Sequence, residues 1–165
     1  MTPRRRARCV ALQVLYALDG SDVLDPSAAL ASHLHQFGVP EEETDLTPEP
    51  VSSYAAIGKD AAPVAPFDEE LTIDLIRGVC AHRTEIDEML TKLSRKWRVE
   101  RLARVDRTIL RIGIYELGHR KETPARVALS EAIELAKRFG AEEAPAFVNG
   151  LLDSALELLG QHPLP

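Results

Sequence analysis

The first residues of the chain include four arginines: Arg4, Arg5, Arg6 and Arg8. Positions 4 and 5 are four and three residues before position 8, so on a helix these three should share one surface patch. Thr2 is a residue type that caps helix N-termini, and Pro3 suits a first helical position, so the arginines should lie in the first turns of a helix. Positive charge there opposes the helix dipole and costs roughly a few tenths of a kcal/mol for each cation. Because guanidinium groups match phosphate oxygens and stack on bases, the pattern predicts a binding site for a polyanion. A solvated basic helix end is the alternative interpretation.

Two further side chains of this helix have groups that can recognise a base. Tyr16 offers an aromatic plane for stacking, and Gln13 can hydrogen-bond a base edge. Tyr16 could equally be a half-buried core residue, and Gln13 an ordinary surface amide. Positive charge beside an aromatic plane favours single-stranded RNA over a duplex. The formal net charge of −6 argues against broad, non-specific nucleic-acid binding, so we expect affinity to require a partner.

Motifs for catalysis or metal binding are missing from the sequence. The five histidines include no His-Glu-x-x-His pattern, the two cysteines form no Cys-x-x-Cys pair, and no phosphate-binding glycine loop occurs. We therefore expect neither an enzyme nor a cofactor or metal ion. Cys9 and Cys80 fall on apolar faces of predicted helices, which indicates buried thiols in a reducing cytoplasm. No apolar run reaches the roughly 18 residues of a membrane span, so no membrane contact is expected.

Helical periodicity extends through most of the 165 residues, and alternating strand patterns are missing. In the first helix one apolar stripe should face the core: Ala7, Val10, Ala11, Val14, Leu15 and Leu18. The predicted helices cover about residues 3–19, 27–37, 67–97 with a break near 82–85, 101–119, 123–139 and 145–159. Gly20, Gly140 and Gly160 should end helices, and Thr123 should cap a helix that begins at Pro124. The pattern predicts an all-α bundle of six to eight helices in one domain.

Residues 38–66 have a different composition from the rest of the chain. They contain five of the eleven prolines, six acidic residues and one lysine. Strong core formers are sparse, which predicts an exposed acidic, Pro-rich insertion or loop. Most of the negative charge of the protein lies in this segment, so the remainder is nearly neutral and has a basic N-terminal edge.

Three blocks of the sequence resemble the NusB family of transcription antitermination factors. The first is Arg-Arg-Arg-Ala-Arg at 4–8, with Ala-Leu-Gln at 11–13 and Leu-Tyr at 15–16. The second is Val-Asp-Arg-Thr-Ile-Leu-Arg-Ile at 105–112, continued by Tyr-Glu-Leu at 115–117. The third joins Glu-Ala-Ile-Glu-Leu-Ala-Lys-Arg-Phe-Gly at 131–140 to Phe-Val-Asn-Gly-Leu-Leu-Asp at 147–153. The blocks keep the order of the family and bracket nearly the whole chain, which implies a NusB-like fold of two small helical sub-bundles.

The resemblance also implies a function in ribosomal RNA synthesis. Family members bind the single-stranded boxA element of ribosomal RNA leaders together with a small-subunit ribosomal protein, NusE. The pair loads onto RNA polymerase with other Nus factors and suppresses premature termination. Carried over by position, the RNA contacts are Arg4, Arg5, Arg6, Arg8, Gln13, Tyr16, Glu143, Phe147 and Asn149. The implied contacts to the protein partner are Asp106 and Arg107.

Structural interpretations stay open for several of these residues. Phe147 could belong to the core, Asn149 could support helix packing, and Asp106 could simply favour the start of its own helix. The chain also departs from the family at 144–146, where Ala-Pro-Ala stands in place of the polar or basic residues usual in relatives. That change removes a possible phosphate contact.

Two other functions are compatible with the sequence. The chain could be a stand-alone RNA-positioning module, similar to the N-terminal domain of ribosomal RNA cytosine methyltransferases. It lacks an α/β segment for a methyl-donor cofactor, so it could supply only the positioning part. It could also be a homodimeric protein-interaction bundle, in which self-association covers the RNA face.

Overall fold

The computed structural model describes residues 1–19, 25–38, 66–96 and 98–160. Within those ranges the chain forms seven α-helices and no strand, which confirms the predicted all-α class. The helices are α1 (Pro3–Ala17), α2 (Pro26–Phe37), α3 (Glu69–Ala81), α4 (Arg83–Leu93), α5 (Arg104–His119), α6 (Ala125–Phe139) and α7 (Ala144–Leu158), with a 3-10 turn at Val99–Arg101. The predicted insertion at 38–66, apart from its two end residues, and the predicted stop at Gly20 lie outside the described residues. No helix in the described ranges is long and apolar enough to cross a membrane.

The chain divides into two compact units, Met1–Arg77 and Gly78–Pro165, with the boundary inside α3. The break between α3 and α4 falls at His82, inside the predicted interval.

In the first unit the start of α1 is fixed by its cap and by the residues that lead into α3. Thr2 Oγ1 accepts a hydrogen bond from the Arg5 backbone N–H at 3.2 Å, with a proline next to it inside the helix, as predicted. The Asp68 N–H donates to the Pro3 carbonyl at 3.1 Å. The Thr72 hydroxyl donates to the Ala7 carbonyl at 3.3 Å. The predicted apolar stripe of α1 is buried from Ala7 to Leu15. The turn that carries the arginines is therefore continuous with a well-packed part of the helix.

In the second unit α5 is the central helix. Its residues from Thr108 to Leu117 are all buried, and it packs against α4, α6 and α7. Arg111 crosses from this helix to α4, where its Nε and Nη2 donate to Asp87 Oδ1 and Oδ2 at 2.8 and 2.9 Å. This bidentate pair offsets the loss of water around the guanidinium, which is 6% exposed.

The predicted start of α6 is wrong by one residue. Pro124 has φ −56° and ψ 140°, so it precedes the helix as the cap residue, and Ala125 is the first helical residue. The Pro124 carbonyl accepts the N–H groups of Val127 and Ala128 at 2.9 and 3.1 Å. Thr123 therefore does not cap the helix, and its buried Oγ1 has no hydrogen-bond partner. With Pro124 extended, Thr123 lies one residue before the cap position, so its hydroxyl is not placed to accept an N–H of the first turn.

Candidate nucleic-acid interface

The four arginines of α1 have three different environments. Arg4 is exposed, and its Nε lies 4.0 Å from Asp68 Oδ2. Arg5 is partly exposed on the helix surface. Arg6 donates from Nη1 to the Pro66 carbonyl at 3.2 Å, and its Nε is buried without a hydrogen-bond partner. The first turn contains no acidic residue that would offset these charges within the helix.

Arg8 differs from its neighbours because its side chain is only 2% exposed. Its Nη1 donates to the Arg4 carbonyl at 3.3 Å, one helical turn earlier. Sequence spacing alone grouped Arg8 with Arg4 and Arg5 on one patch. The structure separates them, since a guanidinium at this depth must leave its place to reach an RNA phosphate.

Tyr16 and Gln13 lie further along α1, and a histidine of α2 adds a contact that the sequence did not predict. The Tyr16 side chain is exposed, at 43%. Gln13 is half-buried, and its Oε1 lies 3.2 Å from His33 Nε2. Burial lowers the pKa of His33 to about 4, so the ring is neutral at pH 7 and can donate its one N–H to the amide oxygen. The amide nitrogen of Gln13 then keeps its donor capacity for another partner.

Arg5 and Tyr16 share one face of α1. They are eleven residues apart, which at 100° per residue places them within about 20° of each other around the axis and about 16 Å apart along it. This face carries a cation at one end and an aromatic plane at the other. Such a pair fits a phosphate and an unpaired base of one extended strand.

The other three candidate RNA contacts belong to the second unit. Glu143 is exposed at the cap position of α7, and its side chain makes no capping hydrogen bond. Phe147 is half-buried one turn later, with its N–H donating to the Glu143 carbonyl at 3.2 Å. Asn149 is exposed. Glu143 and Asn149 therefore stand at the surface, whereas Phe147 is available to both packing and contact.

Asp106, in the first turn of α5, has an unsatisfied carboxylate oxygen. Its Oδ1 is buried without a hydrogen-bond partner. Burial, and then the charge of Glu143, raise the pKa of the Asp106 carboxyl above its ordinary value. The adjacent Arg107 donates from Nη1 to the Val99 carbonyl at 3.3 Å. A buried acceptor without a donor is a site that an incoming polar group can satisfy.

The Asp106→Asn substitution should raise the free energy of unfolding at pH 7 by roughly 0.5 to 1 kcal/mol, because the amide carries no charge to desolvate beside Glu143. A raised carboxyl pKa means that the folded state disfavours the ionised form. The penalty is therefore absent below the ordinary pKa of 3.8, grows as the pH rises from 3.8 to the raised pKa of the folded state, and is complete above it. Urea denaturation at pH 3 and pH 7 measures the difference. The exposed Glu142→Gln variant is the control, and a gain for Asp106→Asn that is equal at both pH values contradicts the explanation.

Comparison with known proteins agrees with this picture. The model of the NusB family matches residues 5–157. The transcription antitermination protein NusB of Geobacter sulfurreducens is 40% identical over 159 residues, which cover 96% of this chain and 97% of the relative. The protein of the same name from Geotalea uraniireducens is 37% identical over 159 residues, with the same coverage. Among solved structures, T. maritima NusB has a TM-score of 0.67 and 28% identity, and covers 99% of this chain and 94% of its own.

The family match over nearly the whole length, the identities of 37% and 40%, and the shared helical fold lead to one conclusion. The chain belongs to the NusB family of transcription antitermination proteins.

Proposed function

We propose that this protein binds single-stranded boxA-type RNA in ribosomal RNA leaders together with the small-subunit ribosomal protein NusE. In this role it acts in the cytoplasm, within the RNA polymerase antitermination complex that includes other Nus factors, and promotes processive transcription. Its mechanism is binding, not catalysis. The observation that carries the proposal is the face of α1 on which Arg5 and Tyr16 are both accessible, next to the exposed Arg4.

An RNA phosphate would turn the unfavourable electrostatic energy of the arginines in the first turn of α1 into a favourable one. The arginines meet the positive end of the helix dipole, so they repel it in the free protein. A phosphate at this position interacts favourably with both the guanidinium groups and the helix end. The unfavourable placement of the cations in the free protein becomes favourable in the complex.

Arg4 can be released to RNA at little cost. Its contact with Asp68 is 4.0 Å long, and the two side chains are 53% and 35% exposed. Exposed pairs of this kind contribute about 0–1 kcal/mol, so a phosphate competes easily. Asp68 itself stays in place, because its Oδ1 accepts the Leu71 N–H at 3.0 Å and its own N–H is bonded to Pro3.

The remaining RNA contacts are proposed with different roles. Arg6 is partly buried and would release the Pro66 carbonyl to reach a phosphate. Gln13 donates to a base edge from the orientation that His33 gives it. Arg8, buried beneath Arg4, would contribute only by moving outward. In the second unit, Glu143 is an acceptor for a base amino group or a 2′-hydroxyl, Asn149 offers both donor and acceptor, and Phe147 offers a ring edge.

The ribosomal protein is proposed to contact the start of α5. The unsatisfied Oδ1 of Asp106 supports this, since a donor from the partner would complete its hydrogen bonding. Arg107, which already bonds Val99, provides a neighbouring guanidinium for the same surface. An added protein surface also accounts for how a chain of net charge −6 holds an RNA strand.

Titration of the purified protein with boxA RNA and with a scrambled RNA, with and without the ribosomal protein, tests the proposal. We expect preference for boxA and at least a tenfold gain in affinity when the ribosomal protein is present, because the two proteins then share the RNA surface. Binding of both RNAs alike, unaffected by the ribosomal protein, would instead favour a general RNA-positioning module. Self-association that RNA does not disturb would favour a homodimeric interaction bundle.

A further inference from the structure

Two histidines and one glutamate meet in the second unit, and none of them is among the residues proposed to bind RNA. His82 lies in the turn before α4, Glu85 in the first turn of α4, and His119 in the last turn of α5. His82 Nδ1 is 3.3 Å from Glu85 Oε2, and His119 Nε2 is 3.6 Å from Glu85 Oε1. One ligand atom from each residue lies within 4.8 Å of the other two. Among the described residues, no other group of three His, Cys, Asp or Glu side chains converges in this way.

The separations fit the coordination sphere of one small cation. Zinc bonds to imidazole nitrogen and carboxylate oxygen are about 2.0–2.2 Å long, so neighbouring ligands in a tetrahedral site lie about 3.4 Å apart. The two nitrogen–oxygen distances bracket that value and end on different oxygens of Glu85, so a small rotation of the carboxylate is needed for one oxygen to meet both spacings. Calcium and magnesium prefer oxygen ligands, and the site has one carboxylate and two imidazoles. Its donor set therefore matches zinc and neighbouring transition metals.

The surroundings hold the two imidazole rings together. The rings of His82 and His119 stack with centroids 3.9 Å apart and planes inclined at 24°. Tyr115, one turn before His119, stacks on both rings at 6.0 and 5.4 Å. Tyr115 is 7% exposed, so its buried side chain provides a fixed surface against which both histidine rings pack. The two ligand nitrogens are thus already close together, and each imidazole has to rotate out of the stack for both in-plane lone pairs to point at one metal.

The local charges also permit a cation. The ligand neighbours Arg83 and Arg120 each lie next to a carboxylate: Arg83 Nε is 4.0 Å from Asp87, and Arg120 Nη2 is 2.8 Å from Glu122. Their positive charges are therefore partly balanced. His119 occupies the last turn of α5, where the helix dipole favours positive charge.

We infer that His82, Glu85 and His119 bind a Zn²⁺ ion that ties the start of α4 to the end of α5, with water in the fourth coordination position. This differs from the expectation of no metal drawn from sequence spacing. His82 and Glu85 are close in sequence, but His119 follows on another helix, so no short motif joins the three ligands. The inference does not depend on the proposed RNA function.

Calorimetric titration of the full chain with Zn²⁺ alone tests this site. We expect the variants His82→Gln, Glu85→Gln and His119→Gln each to lose affinity for one Zn²⁺ by about tenfold or more, as when a ligand or its support is removed. His35→Gln, on an exposed face of α2, and Glu88→Gln, exposed on α4, should keep wild-type binding. These controls have the same chemical changes outside the cluster.

Nitrogen NMR of the wild-type protein gives a second measurement that needs no substitution. Zn²⁺ should shift the resonances of His82 Nδ1 and His119 Nε2 and leave those of His35 unchanged. The inference is wrong if both signals stay in place under excess Zn²⁺. It is also wrong if folded ligand variants, verified by circular dichroism, bind Zn²⁺ as tightly as the wild type.

Discussion

The double substitution Arg4→Gln/Arg5→Gln should lower the affinity for boxA RNA about a hundredfold. Each guanidinium is expected to make a charge-assisted bond to phosphate that contributes about 1.5 kcal/mol, and a hundredfold change corresponds to about 2.7 kcal/mol. The slope of log affinity against log salt concentration is negative, and its magnitude should decrease by about 1.4, because each phosphate contact on a single strand contributes about 0.7. Fluorescence anisotropy at several salt concentrations, with the ribosomal protein present, measures both quantities.

Two controls separate local contacts from general charge. Arg95→Gln/Lys96→Gln removes the same charge from an exposed turn after α4 and should change affinity much less. Tyr16→Ala should cost about 1–3 kcal/mol of stacking while the salt slope stays at the wild-type value. Equal losses for both double variants would mean that only net charge matters. Wild-type affinity in Arg4→Gln/Arg5→Gln would remove the basis of the proposed interface.

Arg8 is left out of that experiment because of what the structure adds to the sequence. On a helical wheel Arg8 lies on the same side as Arg4 and Arg5. In the structure, however, its side chain is buried, and its guanidinium donates a hydrogen bond to the Arg4 carbonyl. Its replacement would open a space in the first unit and confuse lost stability with lost binding. Helical spacing predicts which residues are neighbours on one helix, but not which of those residues are buried in the folded protein.

The sequence predicted what depends on near neighbours in the chain. The Thr2 cap, the apolar stripe of α1 and the break at His82 all follow from local backbone preferences and helical periodicity, and the structure agrees. The predicted cap of α6 was wrong because the residue types do not decide the ψ angle of Pro124. This one angle determines whether Pro124 is extended, as in the structure, or belongs to the helix.

Contacts between distant residues were not predictable in this way. Gln13 and His33 lie on different helices, and His82, in the turn before α4, is far in sequence from His119 on α5. Their meeting depends on how helices pack, and neither pair has a spacing rule. The histidine that orients Gln13 was therefore missed, and a chain without a metal motif was expected to lack a metal site. Histidines that look unrelated in sequence can share one ligand geometry once the helices are assembled.

Gly78→Ala should reduce the free energy of unfolding by about 2 kcal/mol, although alanine is the better helix former. A Cβ at residue 78 would lie 1.9 Å from Tyr115 Cζ and 2.3 Å from its Oη, far inside contact distance. Overpacking of this severity costs about 3 kcal/mol, whereas exchanging glycine for alanine in a helix gains about 1 kcal/mol. The ring cannot simply swing away, because it is buried against His82 and His119. Urea denaturation of the two proteins measures the net effect.

A second background shows whether the ring causes the loss. Tyr115→Leu removes the atoms that the new Cβ would meet, so Gly78→Ala should become stabilising there, by up to about 1 kcal/mol. Gly150→Ala is the matched control, because this glycine also lies inside a helix and has open space where its Cβ would be. It should stabilise the wild-type protein by the same amount. If Gly78→Ala still lowers the free energy of unfolding in the Tyr115→Leu background, the loss does not come from a clash with the Tyr115 ring. The close packing of Tyr115 against residue 78 would then not be the reason for a glycine at this position.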